Sequence, residues 1–459
     1  MKPTPQPAVS PLSRRRFLAA TGQTSALFAA SGIARQILPS ARAAAPSDRV
    51  VLALMGAGGR GSQLARNFSA IPGVRFKYVA EVNPQRGGGL IEELERAQGR
   101  APRRIDDIRR AFDDPEVDAV VIATPEHWHA LATVWACQAG KDVYVEKTIS
   151  LTVWEGRQMV RAARKYDRVV QAGFQNRSAP YGLTAREYLR SGRLGRVTLV
   201  KVYNLLPGGP WTPKPDAPVP GGLDWDAWLG PAPKVPFNPG RLYGWGDFWD
   251  YEGGVLAGDA SHQLDLTRLA LGDPAPPRSA LCQGGRLAFP DERETPDLQV
   301  VTYDYGDFVM VLEQGTFAPY MRKFNQEERY GDQWPYWPQI ATRAEIYGTR
   351  QMMRLGRHGC GWQVFEGDGK VVAEDKGHFP DQWHQPNFID CVRSRKQPNA
   401  DVEQAHQSAL LVHLANVSYR VGCEKLTFDA EAERFGDNPA ANRFLRPVYR
   451  DGYRLPEQV

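Results

Sequence analysis

The sequence predicts an α/β fold, in which a doubly wound parallel sheet over residues 48–173 precedes an α+β domain with a mainly antiparallel open sheet over residues 174–459. Two observations support this prediction. In the first half, short apolar runs alternate with helical patterns, which is typical of parallel strands buried on both faces. In the second half, stretches of alternating apolar and polar residues are joined by glycine-containing turns, which is typical of antiparallel strands.

The elements follow in order along the chain. Five apolar runs predict the buried strands of the first domain, at 50–55, 76–80, 119–123, 142–145 and 169–172. Helical patterns occur at 128–139, 153–166, 387–395 and 403–421, and alternating patterns at 298–305 and 308–314. Residues 205–250 are dense in Pro, Gly and Trp, which favours a long ordered loop that covers a site.

The first 43 residues have the layout of an export signal. Arg14, Arg15 and Arg16 precede an uncharged run at 17–34, and 41–43 reads as an A-x-A cleavage site. We therefore predict a twin-arginine signal peptide over residues 1–43 and a periplasmic or secreted mature protein. A membrane anchor is the alternative, but the polar residues in the run disfavour stable membrane insertion. When residues 1–43 are left out, the net charge of the chain falls from +5 to −1, which disfavours a nucleic-acid partner.

A glycine pattern follows the first strand. Gly56, Gly58 and Gly61 form a G-x-G-x-x-G that allows a tight turn, a close approach to a pyrophosphate and close packing of a helix on the strand. Glu81 ends the second strand, where its carboxylate would accept hydrogen bonds from an adenosine ribose. Because an acidic group there repels a 2′-phosphate, the sequence predicts a Rossmann domain that binds NAD, with NADP less favoured.

Lys147 follows the strand predicted at 142–145, and the carboxyl end of a parallel strand faces the ligand crevice. A lysine amine there can orient a substrate hydroxyl and stabilise developing alkoxide charge, while Glu146 holds it in position. A Glu–Lys pair on the protein surface is the structural alternative.

His262 is the candidate proton acceptor. A helix predicted at 256–271 would place Asp259, His262 and Asp265 on one face. Histidine has a pKa suited to removing a hydroxyl proton, and a neighbouring carboxylate would orient the ring. A core histidine satisfied by Asp265 is the alternative. No third ligand lies in register, so we predict no metal site.

Loop and aromatic residues complete the candidates. After the strand predicted at 119–123, we expect Thr124, Pro125, His127 and His129 to line the nicotinamide pocket. Five tryptophans could stack on the apolar faces of sugar rings, or could pack the long loop. They are Trp211, Trp225, Trp228, Trp245 and Trp249.

Together these segments resemble the Gfo/Idh/MocA oxidoreductases, and within that family the exported bacterial branch. The resemblance rests on the glycine loop with Arg60 and on the segments 123–129, 142–147, 173–178, 225–231, 253–265 and 387–395. It implies a Rossmann domain joined to an α+β domain whose open sheet forms the interface of a homo-oligomer, a dimer or tetramer. It also implies a nicotinamide cofactor and a sugar, inositol or related polyol as substrate.

The resemblance carries roles to individual positions. Lys147 matches the active-site lysine and His262 the catalytic histidine, with Asp259 beside it. The candidate cofactor contacts are Gly56, Gly58, Arg60, Gly61, Glu81, Thr124, Pro125, His129, Glu146, Lys147 and Gln175, and the candidate substrate contacts are Arg177, Trp249 and Asp265. The chain departs from the family pattern at Thr148, where proline is usual, and at Gly258, where an acidic residue is usual four positions before the histidine.

The predicted export constrains the reaction. An enzyme outside the cytoplasm has no free nicotinamide pool, so we expect a tightly bound NAD(H) that is recycled within the site. The favoured activity is hydride transfer at a sugar, polyol or glycoside hydroxyl or carbonyl group. A redox-assisted glycoside hydrolase or lyase that uses NAD is one alternative, and a non-catalytic carbohydrate- or nucleotide-binding protein is another.

Overall fold

A computed structural model describes residues 49–459, so the signal peptide predicted at residues 1–43 lies outside the described residues. The first domain is built on a six-stranded parallel sheet with the strand order β3-β2-β1-β4-β5-β6. Its strands are β1 (Val50–Met55), β2 (Val74–Ala80), β3 (Arg103–Ile105), β4 (Ala119–Ile122), β5 (Asp142–Val145) and β6 (Val170–Ala172). The predicted doubly wound parallel sheet is confirmed, and its order reverses between β1 and β4.

Helices cover both faces of this sheet. They are α1 (Gly59–Ser69), α2 (Gly88–Gln98), α3 (Arg109–Phe112), α4 (His129–Gln138) and α5 (Val153–Lys165), with a 3-10 turn at Glu126–Trp128. All residues of β1 are buried. Leu52 and Leu54 pack in the same core as Phe68 of α1, whereas Ala53 and Met55 pack in the opposite core. The continuous apolar run of β1 is therefore explained by burial on both faces.

The second domain is built on a nine-stranded sheet with the order β14-β13-β12-β11-β7-β10-β9-β8-β15. Its strands are β7 (Val197–Leu205), β8 (Ser279–Gly285), β9 (Leu298–Asp304), β10 (Val309–Gly315), β11 (Thr342–Gly348), β12 (Met352–Gly356), β13 (Gly361–Phe365), β14 (Val371–Asp375) and β15 (Leu426–Thr427). Only β7 and β10 pair in parallel among these strands. The predicted mainly antiparallel sheet is confirmed.

One face of the large sheet packs on helices. The helices of this domain are α6 (Pro180–Arg190), α7 (Trp225–Leu229), α8 (Pro239–Tyr243), α9 (Ser261–Ala270), α10 (Gln326–Tyr330), α11 (Asp381–Ser394), α12 (Val402–Arg420) and α13 (Pro439–Asn442). Met310 and Leu312 of β10 are buried against α6, α9 and α12. Val309 and Val300 lie on the outer face and are each 38% exposed. Among residues 49–459, every helix is too short or too polar to cross a bilayer.

The segment between β7 and residue 256 contains only short helices, in agreement with the long ordered loop that we predict. Its tryptophans pack mainly with other aromatic side chains of the loop. The rings of Trp225 and Trp228 stack with centroids 4.6 Å apart, and Trp211 packs against Phe248. The tryptophan-rich composition therefore serves first to give this loop a small core of its own.

The helix predicted at 256–271 begins with a π-helical turn, Leu256–Ala260, and continues as α9. Side chains satisfy carbonyl groups in this turn. Thr148 Oγ1 and Ser261 Oγ donate to the Ala257 carbonyl at 3.0 and 2.5 Å, and Lys147 Nζ donates to the Gly258 carbonyl at 2.5 Å. These bonds stabilise a turn wider than an α-helix directly before His262.

The chain returns to the first domain near its end. Phe388 and Ile389 of α11 are buried in the core that faces α1. Leu455 and Val459 are buried in the opposite core. The backbone N–H of Ala172 in β6 also donates to the carbonyl of Ala400 at 2.9 Å. The core of the first domain is therefore completed by residues from the far end of the chain.

Candidate active site

A cavity of about 690 Å³ opens at the carboxyl ends of β1, β2, β4 and β5, between the two domains. This is the place where doubly wound sheets bind ligands. The first domain lines one end with the glycine loop and Glu81. The second domain lines the other end with His262 and with residues from the segments 227–259, 323–329 and 357–379.

The glycine loop forms a tight turn against the neighbouring strand. Gly56 has a φ of +91°, and a Cβ at this position would lie 2.7 Å from the carbonyl oxygen of Ala123. A Cβ at Gly61 would lie 1.9 Å from the carbonyl oxygen of Gly56. Helix α1 begins at Gly59, so its unpaired N–H groups face the cavity. The loop leaves room for a pyrophosphate at a helix N-terminus, which fits a dinucleotide.

Glu81 is fixed at the same end of the cavity. Its carboxylate accepts hydrogen bonds from the backbone N–H groups of Ala57 and Asn83, each at 2.8 Å. The carboxylate therefore stands beside the glycine loop, where the adenosine ribose of a dinucleotide would lie.

Arg60 links the glycine loop to the residues after β5 and β6. Its Nε donates to Glu146 Oε1 at 2.8 Å, and a second nitrogen contacts Asp381 at 3.2 Å. With its amide oxygen turned toward Arg60, Gln175 also accepts a bond from this guanidinium and donates to the Gly173 carbonyl at 2.8 Å. Although burial opposes it, the carboxylate of Glu146 keeps the pKa of Arg60 above its usual value. Arg60, Glu146 and Gln175 all line the cavity, and their contact with a cofactor stays a prediction.

Some residues of the loop after β4 line the cavity, whereas others hold the neighbouring loops in place. Thr124 and Pro125 line the cavity, but His129 does not. The two ring nitrogens of His129 lie 2.7 Å from the Thr148 carbonyl and 2.8 Å from the Thr124 carbonyl, and burial lowers its pKa. Its predicted contact with the cofactor is thus replaced by a role in holding two loops together. His127 is likewise buried, with Nε2 3.0 Å from the Trp228 carbonyl.

Lys147 lines the middle of the cavity, and its Nζ is anchored on the Gly258 carbonyl. The Lys147–Thr148 peptide bond is cis. The backbone N–H of Thr148 donates to Glu126 Oε1 at 3.0 Å. The turn that carries Lys147 is therefore hydrogen-bonded to the Gly258 carbonyl on one side and to Glu126 on the other, although threonine replaces the usual proline.

His262 faces the same part of the cavity and is 7% exposed. Its Nδ1 is buried without a partner in the described part of the chain, which leaves Nε2 to meet a ligand. Its ring packs edge-on against His358, with centroids 4.8 Å apart. Burial, with the nearby His358 and Lys147, lowers the pKa of His262 well below its usual value. The imidazole is therefore neutral near neutral pH, which is the form that accepts a proton.

Asp259 lines the cavity but is held by two cations. Its carboxylate pairs with Arg357 at 2.6 Å and with Lys323 at 2.8 Å. Although burial opposes them, these cations hold the pKa of Asp259 far below its usual value. A carboxylate so stabilised is a poor proton acceptor, so the structure favours an anchoring role over the predicted catalytic one.

Arg177, Asp265 and Trp249 do not line the cavity. Arg177 Nε pairs with Asp265 at 2.7 Å, and both side chains are almost fully buried. Asp265 also accepts a bond from Ser408 Oγ at 2.7 Å. Trp249 packs against the ring of Tyr419. Their predicted substrate contacts are therefore replaced by contacts inside the second domain, whereas Trp228 and Trp245 do reach the cavity.

Two carboxyl groups beside Lys147, those of the buried Glu126 and the half-buried Glu252, could not be recognised from the sequence. Glu126 accepts bonds from the backbone of Thr148 and Gly253, whereas the Glu252 carboxyl accepts no hydrogen bond from residues 49–459. A Cβ at Gly258 would lie 2.6 Å from Glu252 Oε1. Glu252 thus occupies the space that a side chain at position 258 would fill. Burial raises the pKa of both carboxyl groups, and their proximity to each other raises that of Glu126 further.

Four basic side chains of the second domain that line the cavity were missed as well. They are Lys323, Arg329, Arg357 and His358. Lys323 lies in an irregular segment, Arg329 in the five-residue helix α10, and Arg357 and His358 directly after β12, where no long periodic pattern marks a functional position. Within residues 49–459 there is also no group of three or more His, Cys, Asp or Glu side chains that could hold a metal ion.

Comparison with protein families gives two matching regions. Residues 50–174 match the family described as "Oxidoreductase family, NAD-binding Rossmann fold". Residues 210–315 and 346–455 match "Oxidoreductase family, C-terminal alpha/beta domain". Together the two matches cover well over half of the chain, and they include the glycine loop, Lys147 and His262.

Comparison with individual proteins agrees. Levoglucosan dehydrogenase of Pseudarthrobacter phenanthrenivorans is 32% identical over 31% of this chain and only 35% of that protein. The scyllo-inositol 2-dehydrogenase (NAD(+)) of Bacillus subtilis is 27% identical over 76% of this chain and 88% of that protein. The WlbA dehydrogenase of Bordetella pertussis, crystallised with NADH and UDP-GlcNAcA, has the same fold, with a TM-score of 0.59 and 19% identity over 83% of this chain and 99% of that chain. The chain belongs to the Gfo/Idh/MocA family of oxidoreductases.

Proposed function

We propose that the protein is an NAD-dependent oxidoreductase that interconverts a hydroxyl and a carbonyl group of a sugar or polyol. The observation that carries this proposal is that Lys147 and a neutral His262 line the same cavity as the nucleotide cradle, which is formed by the glycine loop and Glu81. The names of the relatives, which include levoglucosan dehydrogenase and scyllo-inositol 2-dehydrogenase, support a sugar or polyol as the substrate class.

The first domain would hold the cofactor. Gly58 and the first turn of α1 would receive the pyrophosphate, and Glu81 the adenosine ribose. Arg60, Glu146 and Gln175 would form the wall behind the nicotinamide. When bound, NAD supplies a nicotinamide ring that accepts or returns a hydride.

The proton is handled by the chain itself. Neutral His262 would accept the hydroxyl proton through Nε2 as the substrate is oxidised, and would return it in the reverse direction. Lys147 Nζ would donate a hydrogen bond to the same substrate oxygen and stabilise its developing negative charge. The anchor on the Gly258 carbonyl fixes the position of this amine.

Glu252 would replace the acidic residue that is absent at position 258. Its carboxyl group stands beside Gly258, to which Lys147 is bound, and the charge of Lys147 favours its ionised form. It would therefore position Lys147 and the substrate hydroxyl from a different part of the chain. Because burial raises its pKa, this carboxyl is able to change its protonation during the reaction.

We further propose that the mature protein works outside the cytoplasm with a tightly bound NAD, which one sugar or polyol reduces and the carbonyl group of another reoxidises. The support is the sequence of residues 1–43 alone. We also propose a homo-oligomer formed through the outer face of the large sheet, which is supported by the exposed Val300 and Val309. Cell fractionation tests the first proposal, and light scattering of the purified protein tests the second.

The first experiment is to purify the mature protein without added nucleotide, denature it and identify the released nucleotide by mass spectrometry. Release of about one NAD per protein would support the identity of the cofactor and its tight retention. Failure to retain or bind NAD or NADP would contradict the proposed function. Release of NADP instead would contradict only the interpretation of Glu81.

The second experiment follows the absorbance of the bound nicotinamide through a single turnover with levoglucosan, inositols and simple sugars. His262→Asn and Lys147→Met should each lower turnover by about 10²–10⁴-fold without loss of NAD binding. The matched controls, His378→Asn and Lys370→Met, change exposed side chains and should retain full turnover. A glycoside that is cleaved with no net change in absorbance would instead identify a redox-assisted hydrolase or lyase.

A further inference from the structure

The end of the cavity contributed by the second domain has more cations than anions. Lys323, Arg329 and Arg357 line this end beside His262, against the carboxyl groups of Asp259 and Glu252. Asp259 is the carboxylate that pairs with Lys323 and Arg357, at 2.8 and 2.6 Å. One carboxylate therefore already serves two of the three cations.

Arg329 is the third cation, and it forms no ion pair with Asp259. Its guanidinium forms no ion pair or hydrogen bond with any residue in the range 49–459, and its Nε is buried without a partner. Burial and the nearby Arg357 lower its pKa, which indicates that the charged form is poorly compensated. The terminal nitrogens of this guanidinium are not buried, so an acceptor from outside the chain that enters the cavity can pair with them.

The same excess charge affects the proposed proton acceptor. Lys147, Arg357 and Arg60 all disfavour a proton on His262. A ligand that brings a negative charge to this end would pair with Arg329 and would also offset the repulsion that a protonated His262 feels. Both observations therefore call for an anionic ligand.

We propose that the substrate is a sugar acid, whose carboxylate binds Arg329 while a hydroxyl group lies at Lys147 and His262. This inference rests on the proposed function and names its substrate class. A carboxylate is favoured over a phosphate dianion because only one guanidinium is unpaired, and its planar fork matches a carboxylate. Lys323, already held by Asp259, would stand next to the bound group.

The test is calorimetric titration of the full mature protein loaded with NAD. The ligands are two matched pairs, D-glucuronate with D-glucose and D-gluconate with D-glucitol. We expect the carboxylated member of each pair to bind at least about tenfold more tightly, since a charge-assisted bond to an otherwise unpaired donor is gained.

Variants connect this preference to Arg329. Arg329→Gln should remove the preference and leave the affinity for NAD unchanged, and Arg329→Lys should restore part of it. Arg100→Gln, which changes an exposed arginine of the first domain, is the matched control and should retain the full preference.

The outcomes separate this inference from the proposed function. Equal binding within each pair, no binding of the carboxylated members, or an unchanged preference in Arg329→Gln would each overturn the sugar-acid assignment. Any of these results with NAD still bound would leave the oxidoreductase proposal in place. Loss of NAD binding in the unmodified protein would contradict both.

Discussion

The packing of the glycine loop can be tested with two single alanine substitutions in the same turn. In Gly61→Ala the new Cβ would lie 1.9 Å from the carbonyl oxygen of Gly56 and 3.4 Å from the Cβ of Ala123. Because an ordinary contact begins near 3.4 Å, α1 would have to move by about 1.5 Å relative to the loop. A backbone carbonyl cannot rotate away as a flexible side chain does.

The expected cost follows from this displacement. Overpacking of this kind costs about 1–3 kcal/mol of unfolding free energy. In Gly59→Ala the new Cβ would meet no protein atom within 4 Å. The two substitutions change the unfolded chain in the same way. We therefore expect Gly61→Ala to be less stable than Gly59→Ala by about 2 kcal/mol.

Urea unfolding of the nucleotide-free protein measures this difference, and calorimetry with NAD measures the effect on binding. Gly61→Ala should also weaken NAD binding by about tenfold or more, since the helix N-terminus moves away from the pyrophosphate position. If the two variants differ by less than about 0.5 kcal/mol in stability, the close packing described for this loop is wrong.

Three further predictions concern the cofactor, the proton and acid stability. Glu81→Ser should weaken NAD binding and strengthen NADP binding, because a 2′-phosphate is no longer repelled; an unchanged ratio of the two dissociation constants would contradict this. Glu252→Gln should lower turnover by about 10–100-fold and retain NAD binding. In the unmodified protein kcat should fall toward acidic pH as this carboxyl is protonated, and the substitution should remove that fall. Burial lowers the pKa of His127 to about 4, so the unfolded chain binds this proton first and the fold loses stability as pH falls below about 6.5. In urea unfolding, His127→Phe should therefore gain about 2 kcal/mol relative to the unmodified protein between about pH 7 and pH 5, and a difference independent of pH would refute this role of burial.

The elements that local rules govern could be predicted from the sequence. Strands β1 and β4 are continuous apolar runs because both of their faces are buried. The glycine loop is marked by residues at which a Cβ would clash with the backbone. Lys147 and Glu146 could be placed because the carboxyl end of a parallel strand faces the crevice. Strand β3 was missed because it has only three residues, two of them arginines.

The end of the site in the second domain could not be predicted in the same way. Arg329 lies in the five-residue helix α10 and Glu252 in an irregular segment, and tertiary contacts bring both side chains to the cavity. Arg177 and Asp265 were misplaced because a buried ion pair and a substrate contact use the same side chains. A buried ion pair and a substrate contact differ in the direction in which the side chain points, and the sequence does not specify that direction.

The return of the chain to the first domain has a consequence for biosynthesis. Phe388 and Ile389 of α11 and the backbone around Ala400 are separated from β6 by about 200 residues. At about 5–20 residues per second, a growing chain supplies them some 10–40 s after β6 has been made. During that interval the nascent first domain presents an uncovered apolar face and an unpaired strand edge. We therefore expect a fragment that stops after β6 to aggregate, and the nucleotide cradle to mature only when nearly the whole chain has emerged.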